Sequence, residues 1–427
     1  MALHGILAKL PIHLKRIVMD IFTSITTLVS ISAFISYLNN RFIRLPGTIG
    51  VIVISVILSA LISVFGKTIP QTFDFIAQLT NSIDFSKTLL DIMLGFLLFA
   101  SALHFDFEKL KQHRWPVFIL STIGVVGSTL IFGFLLYGAT YLLAIDLPLI
   151  YCLLFGALIS PTDSVAVMSV LKKTRLAPSL ETIIGGESLF NDGAGILLFV
   201  ILSEIAEQSN IFSFHHAFEL FIHEVFGGLV LGVAMGYLAY RTMRYIKDFQ
   251  TVVLASISVV MCISVIGNNV HVSIPLAAVS AGLVIGNTTL GAKTSTQLQD
   301  YLHRIWKLID ELMNTILFVM IGLQIVRMPF INNYWLVGSL ALGFALLSRG
   351  LSIAIPTFFV SSLKLRFKNI IVLIWAGLRG GISVALALSL PDSPYKELIV
   401  SATYLVVLFS VIVQGLSLSK VVKVLNG

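Results

Sequence analysis

Charged residues are scarce in this sequence. Asp, Glu, Lys and Arg make up 11% of its 427 residues, where a soluble domain carries about 25%. So few charges cannot cover a water-facing surface, which excludes a soluble enzyme, a nucleic-acid binder and a disordered chain. Cysteine is nearly absent too. Cys152 and Cys262 both fall inside apolar segments, where they read as small packing residues rather than as a disulfide framework. The 31 Gly and 12 Pro are spread along the chain and form no low-complexity linker. There is no Walker motif, and the loops are too short to hold a nucleotide-binding domain. ATP-driven pumping is therefore not expected of this chain, which leaves passive flow or energy drawn from another gradient. The stretch 1–20 carries Lys9, Lys15 and Arg16 without a small-residue cleavage site after it, so it reads as an interfacial amphipathic segment and not as a cleavable signal.

What is abundant is apolar surface. Hydrophobic residues reach 57% and the mean hydropathy is +0.97. The fold class expected is an all-α polytopic membrane protein. A bilayer core about 30 Å thick needs about 20 apolar residues per helix. Runs of that kind occupy 21–38, 46–65, 87–105, 115–144, 147–171, 180–206, 216–241, 250–267, 273–288, 306–327, 334–361, 367–390 and 396–419, thirteen spans in all, with a short tail at 420–427.

Basic residues test that count. Of the 28 Lys and Arg, 19 lie at the connections after the odd-numbered spans and the C-terminus, 7 lie at the alternate connections and the N-terminus, and Arg349 and Arg379 lie inside spans. The positive-inside rule then places the C-terminus in the cytoplasm and the N-terminus outside. The surplus of basic charge is a topology signal, and no nucleic-acid partner is expected.

Four polar stretches sit where a charge costs about 2.5–3.5 kcal/mol to insert. Span 5 contains Ser160-Pro161-Thr162-Asp163-Ser164. Pro161 removes a backbone donor and disturbs the preceding turn, and Thr162, Asp163 and Ser164 bring oxygens to the freed carbonyls. A simple proline kink is the plain alternative to an unwound, cavity-lining segment.

Span 6 contains Gly185-Gly186-Glu187-Ser188-Leu189-Phe190-Asn191-Asp192-Gly193. Helical spacing sets Glu187 and Asn191 on one stripe and Ser188 and Asp192 on the next, about 100° around. The two carboxylates should therefore take different partners. Glue between helices is the competing account.

Arg349, in span 11, needs a carboxylate, and Glu187 and Asp192 are both chemically eligible; a purely structural ion pair would satisfy it. In span 12, Gly377-Leu378-Arg379-Gly380-Gly381-Ile382-Ser383 sets three glycines around an arginine. Each glycine weakens a helix by about 1 kcal/mol relative to Ala, so a second broken helix is expected, with Arg379 offsetting negative helix ends.

Weaker candidates read as surface chemistry: Asp91 as interfacial, His215, His216 and His223 as headgroup-level residues, Asp310 and Glu311 as surface partners of Arg304 and Lys307, and the 30 Phe as lipid-facing bulk. The two breaks lie seven spans apart. Inverted repeats of six spans, with span 7 between them, would put each break in the fifth helix of its repeat, as in transporters that bind at crossed broken helices.

At these residues the chain resembles the sodium/proton exchangers, the NhaP-like branch of the monovalent cation:proton antiporters. The blocks Ser160 to Ala166, Gly186 to Gly193 and Gly377 to Ser383 carry the resemblance, and span number and order agree along nearly the whole chain. The resemblance implies a homodimer in the cell membrane, with a dimerisation domain and a core domain holding two crossed unwound helices. It implies that Asp192 of the Asn191-Asp192 pair binds the ion, that Thr162 and Asp163 line the site, and that Ser188 adds an oxygen. It further implies that Glu187 pairs with Arg349 and that Arg379 steadies the crossing. The Asn-Asp form, rather than Asp-Asp, goes with electroneutral exchange in the wider superfamily, and the resemblance implies a role in pH homeostasis. Many relatives carry an acid in the third span near Leu98-Phe99-Ala100-Ser101; here Ala100 and Ser101 occupy that stretch.

The expected mechanism is competition of a proton and a monovalent cation for one buried carboxylate, Asp192. A hard cation such as Na+ suits carboxylate, hydroxyl and carbonyl oxygens. No cofactor is expected, since Na+ and H+ are cargo. The rivals are a K+/H+ antiporter, a cation channel, which would want a filter or rings of like residues, and an intramembrane enzyme, which would want a nucleophile–base pair.

Overall fold

The computed structural model describes residues 12–65, 76, 79–80, 84–171, 176–207, 214–246, 248–290, 296–327, 334–360 and 365–426, with side chains omitted at a few of these. The described residues are helical almost throughout and include no strand. Fifteen principal helices follow one another: α1 (Ile12–Leu38), α2 (Gly47–Phe65), α3 (Phe85–Leu103), α4 (Arg114–Leu142), α5 (Leu149–Ile159), α6 (Ser164–Leu171), α7 (Pro178–Glu207), α8 (Phe214–Met243), α9 (Phe249–Val270), α10 (Ile274–Leu290), α11 (Thr296–Gln324), α12 (Tyr334–Phe359), α13 (Phe367–Trp375), α14 (Gly381–Leu388) and α15 (Lys396–Leu425). All backbone polar groups of a helix are satisfied within it, which suits a segment surrounded by lipid.

Thirteen expected spans map onto these helices in order. Spans 5 and 12 each become two half-helices, α5 with α6 and α13 with α14. Among the described residues nine helices are long and apolar enough to cross a membrane by length and composition. The remaining four spans are the two interrupted ones, the short α10, and α11. That last helix begins at Thr296, ten residues before the apolar run, because Asp300, His303, Arg304 and Lys307 extend its first turns beyond the apolar part. The amphipathic stretch expected at 1–20 lies outside the described residues up to position 11; from Ile12 it continues directly into α1.

Small residues set the packing around α10. Gly228, Gly232 and Gly236 recur every fourth position on α8 and face Ser273, Ala277 and Ala281 of α10; a β-carbon at Gly232 would overlap the Ala277 carbonyl. Gly282 and Gly286, also on α10, face the α3 backbone at Phe99 and Leu103. Close backbone approach of this kind is how helices associate where lipid removes the hydrophobic drive between them.

Two buried apolar clusters result. One gathers α1, α2, the start of α3, α4 to α7, the end of α11, and α12 to α15. The other gathers the rest of α3, Leu189 of α7, α8, α9, α10 and the first part of α11 with Trp306. Leu90, Ile196 and Ile382 pack against both. The Phe side chains do not all face outward: Phe99, Phe132, Phe155 and Phe318 are fully buried, while Phe22, Phe134, Phe226 and Phe358 are exposed. Helix crossings with small residues on one side leave room that a ring fills.

Candidate functional site

The two interruptions meet. Helix α5 ends at Ile159 and α6 starts at Ser164, while α13 ends at Trp375 and α14 starts at Gly381. The Asp163 amide donates to the Leu378 carbonyl at 2.7 Å, joining one unwound stretch to the other. Pro161 begins the first break because it has no amide to donate and crowds the preceding turn. Gly195 of α7 lies against its ring; a β-carbon there would overlap the proline Cγ. Gly380 lies against Asp163, and a β-carbon at Gly380 would stand 2.7 Å from the Asp163 Oδ2.

Each break creates two half-helix termini. The C-terminal ends of α5 and α13 carry partial negative charge, and the N-terminal ends of α6 and α14 partial positive charge. Arg379 serves the negative side. Its Nη1 donates to the carbonyls of Ser160 at 2.6 Å and Pro161 at 3.0 Å, and its own amide donates to the Ser410 Oγ at 2.8 Å. The carbonyls that lost helical donors at the break are thus satisfied by a buried guanidinium. Asp163 serves the positive side, at the residue before α6 and beside the start of α14.

Helix α7 supplies the acids. Glu187 and Arg349 form a bidentate pair, Nη1 to Oε1 and Nη2 to Oε2, the latter at 2.9 Å. Glu187 is 1% exposed and Arg349 6%. One turn on, the Asn191 Nδ2 donates to the Thr162 Oγ1 at 2.7 Å, while the Asn191 Oδ1 lies 3.5 Å from the Thr162 amide. The Ser188 hydroxyl donates to the Thr162 carbonyl. Two residues from the two expected stripes of α7 therefore converge on one residue of the break.

Asp192 stands apart from these bonds. It is 7% exposed, and its Oδ1 has no hydrogen-bond partner among the described residues. It lines a cavity of about 560 Å3, part of it open to solvent, together with Thr162, Asp163, Ser188, Asn314 and Ser383. Apolar walls come from Leu94, Leu98 and Leu189 of one buried cluster and Leu317 of the other. The cavity thus lies on the seam between the two clusters. Among the described residues no group of three or more His, Cys, Asp or Glu is placed to hold a metal ion; a monovalent cation here would rest on mixed oxygen donors.

Of the residues singled out in the sequence, Asp192, Asp163, Thr162 and Ser188 line this cavity, and Asn191 faces Thr162 behind it. Glu187, Arg349 and Arg379 lie outside the cavity lining. Ser101 of α3 lines it as well. Glu311 does form the expected surface pair with Lys307 at 3.9 Å, but Asp310 Oδ1 accepts from Asn314 Nδ2 at 2.9 Å, and Asn314 is a wall of the cavity. The i, i+4 spacing of Asp310 and Asn314 on one helix is the signal that could have found it. His215 pairs with Glu219 at 3.3 Å on an exposed face.

Comparison with known proteins follows this geometry. Residues 30–424 match the family model described as sodium/hydrogen exchanger, transmembrane. The chain is 38% identical over 410 residues to the Na(+)/H(+) antiporter NhaP of Pseudomonas aeruginosa, covering 93% of this chain and 96% of that one. It is 30% identical over 419 residues to the Na(+)/H(+) antiporter NhaH of Halobacillus aidingensis, covering 95% and 98%. Among solved structures, the sodium proton antiporter MjNhaP1 of Methanocaldococcus jannaschii superposes with a TM-score of 0.78 at 20% identity, covering 96% of this chain and all of that one. At that identity the likeness concerns the fold.

Proposed function

This chain belongs to the transmembrane sodium/hydrogen exchanger family, and from that membership and the site we infer that it is a multi-pass secondary antiporter exchanging Na+ for H+. The observation that carries the reading is the pair of fates of the α7 carboxylates. Glu187 is closed in a bidentate bond with Arg349, whereas Asp192 lines a cavity between the crossed breaks and has an oxygen without a hydrogen-bond partner among the described residues.

Asp192 is the carrier. A buried carboxylate without a counter-charge is costly. A proton or a sodium ion offsets that cost, and the two compete for the same oxygens. Either load leaves the site with the same charge. Only loaded forms then cross between the two faces, so one Na+ moves for one H+ and the exchange is electroneutral. Thr162, Asp163 and Ser188 complete the oxygen environment, with Asn191 holding Thr162 in place. The location of the cavity at the seam between two apolar clusters supports alternating access by movement of one against the other. No cofactor takes part.

The protein works as a homodimer in the lipid of the cell membrane, its N-terminus outside and C-terminus in the cytoplasm. Sodium rather than potassium as cargo is supported by the relatives, which are Na(+)/H(+) antiporters. Purified protein in liposomes should dissipate an imposed pH gradient when Na+ is added, and Asp192→Asn should abolish this while leaving the protein folded. A wild type that leaks protons without added Na+, or carries net current with exchange, overturns the reading.

A further inference from the structure

We propose that Ser383, on the second broken helix, is a direct oxygen ligand for the transported cation; this rests on the antiport reading above. The sequence block that drew attention to α14 did so for Arg379 and its glycines. The serine two positions past the break plays no part in that argument. In the structure it is 1% exposed, and its Oγ has no hydrogen-bond partner among the described residues. It lines the same cavity as Asp192.

Ser32, Ser59, Ser203 and Ser264 are likewise helical and without a partner among the described residues, but of these five serines only Ser383 lines the cavity. Many other buried serines and threonines return a hydrogen bond to the carbonyl one turn back. Thr403 does so to Ile399 at 2.7 Å, Ser280 to Leu276 at 2.7 Å and Ser55 to Val51 at 2.8 Å. Such back-bonding satisfies the hydroxyl locally. Ser383 makes no such bond: Gly380, three positions before it, is the last residue before α14, and Arg379, four before it, belongs to the unwound stretch. A buried hydroxyl left unsatisfied costs about 1–3 kcal/mol, and a ligand that takes its lone pairs offsets that cost.

Asp192 and Ser383 both line the cavity, and each has a buried oxygen, Oδ1 and Oγ, without a hydrogen-bond partner among the described residues. One is anionic and one neutral, and they come from α7 and α14. A hard cation prefers such a mixture of carboxylate and hydroxyl oxygens. The proton needs only the carboxylate. Ser383 therefore discriminates between the two cargoes: it adds to the affinity for Na+ and little to that for H+. It also ties the cation to both broken helices at once, since Thr162 and Asp163 come from the first and Ser383 from the second.

The test is Ser383→Ala in the full chain, reconstituted in liposomes, with exchange measured against Na+ concentration at fixed pH. Half-saturation should need about three- to tenfold more Na+, the loss expected of one neutral oxygen contact. The maximal rate at saturating Na+, and the pH dependence measured there, should stay as in wild type. Ser383→Thr, which keeps the hydroxyl, should restore the wild-type half-saturation. A merely structural serine would lower the maximal rate and thermal stability without moving half-saturation. If Ser383→Ala does not reach the membrane, Ser383→Cys replaces it, since a thiol is a poor ligand for a hard cation. An unchanged half-saturation in the Ala or Cys variant overturns the assignment. Absence of Na+-driven exchange in the wild type would instead overturn the antiport reading on which it rests.

Discussion

Glu187 and Arg349 are joined by two hydrogen bonds from one guanidinium to one carboxylate, both side chains buried between α7 and α12. The pair removes from play the carboxylate that would otherwise compete with Asp192 for a cation. It also removes the only cation of α12 that could have neutralised Asp192. A structural ion pair and a transport site are here the same design, because closing one acid leaves the other open.

Breaking that pair leaves a buried charge without a partner. Glu187→Gln should destabilise the protein by about 3–5 kcal/mol, read as a lower midpoint of thermal unfolding in detergent. The double variant Glu187→Gln/Arg349→Met should lose less than the two single variants together, because it leaves no uncompensated charge.

Arg379 holds the Ser160 and Pro161 carbonyls. Arg379→Ala leaves both unsatisfied, at about 1–3 kcal/mol each. Accumulation in the membrane should fall sharply. Arg379→Lys keeps the charge but not the planar fork of donors. It should accumulate better and exchange more slowly than wild type.

Gly380→Ala places a methyl group against the Asp163 carboxylate. The added carbon would stand 2.7 Å from the Oδ2 and 2.8 Å from the Cβ of Asp163, so Asp163 or the crossing has to shift. Exchange should fall at least tenfold while the midpoint of thermal unfolding changes by only a few degrees, because the clash is with one side chain at the end of a loop.

If protons and Na+ compete for Asp192, the Na+ concentration for half-maximal exchange should rise about tenfold for each unit of pH lowered in the range where the site is largely protonated, since cation binding there releases a proton. The maximal rate should stay constant. Initial rates over a matrix of pH and Na+ would show this. A maximal rate that falls with pH at constant half-saturation would instead indicate a separate regulatory site.

The spans were legible in the sequence because lipid demands long apolar runs, and so were the breaks, because Pro161 and the glycines around Arg379 weaken helices wherever they occur. The partner of Arg349 was not settled by spacing, since Glu187 and Asp192 were equally eligible acids. The packing of α7 against α12 decides it. Asn314 and Ser383 were not singled out, because, the Asp310–Asn314 spacing aside, a single small polar residue in a helix is ordinary. Only the fold brings them to one cavity. The four-residue glycine repeat on α8 played no part in the sequence reading, and the fold supplies its partner helix.

The central claim is that one carboxylate seats a proton or a sodium ion and never both. Adding Na+ to purified, weakly buffered protein in detergent, at a pH where the site is protonated, tests it without transport. The account predicts release of about one proton per protomer, with Na+ dependence matching that of exchange, and none from Asp192→Asn. Proton release of equal size from the folded Asp192→Asn protein would contradict it.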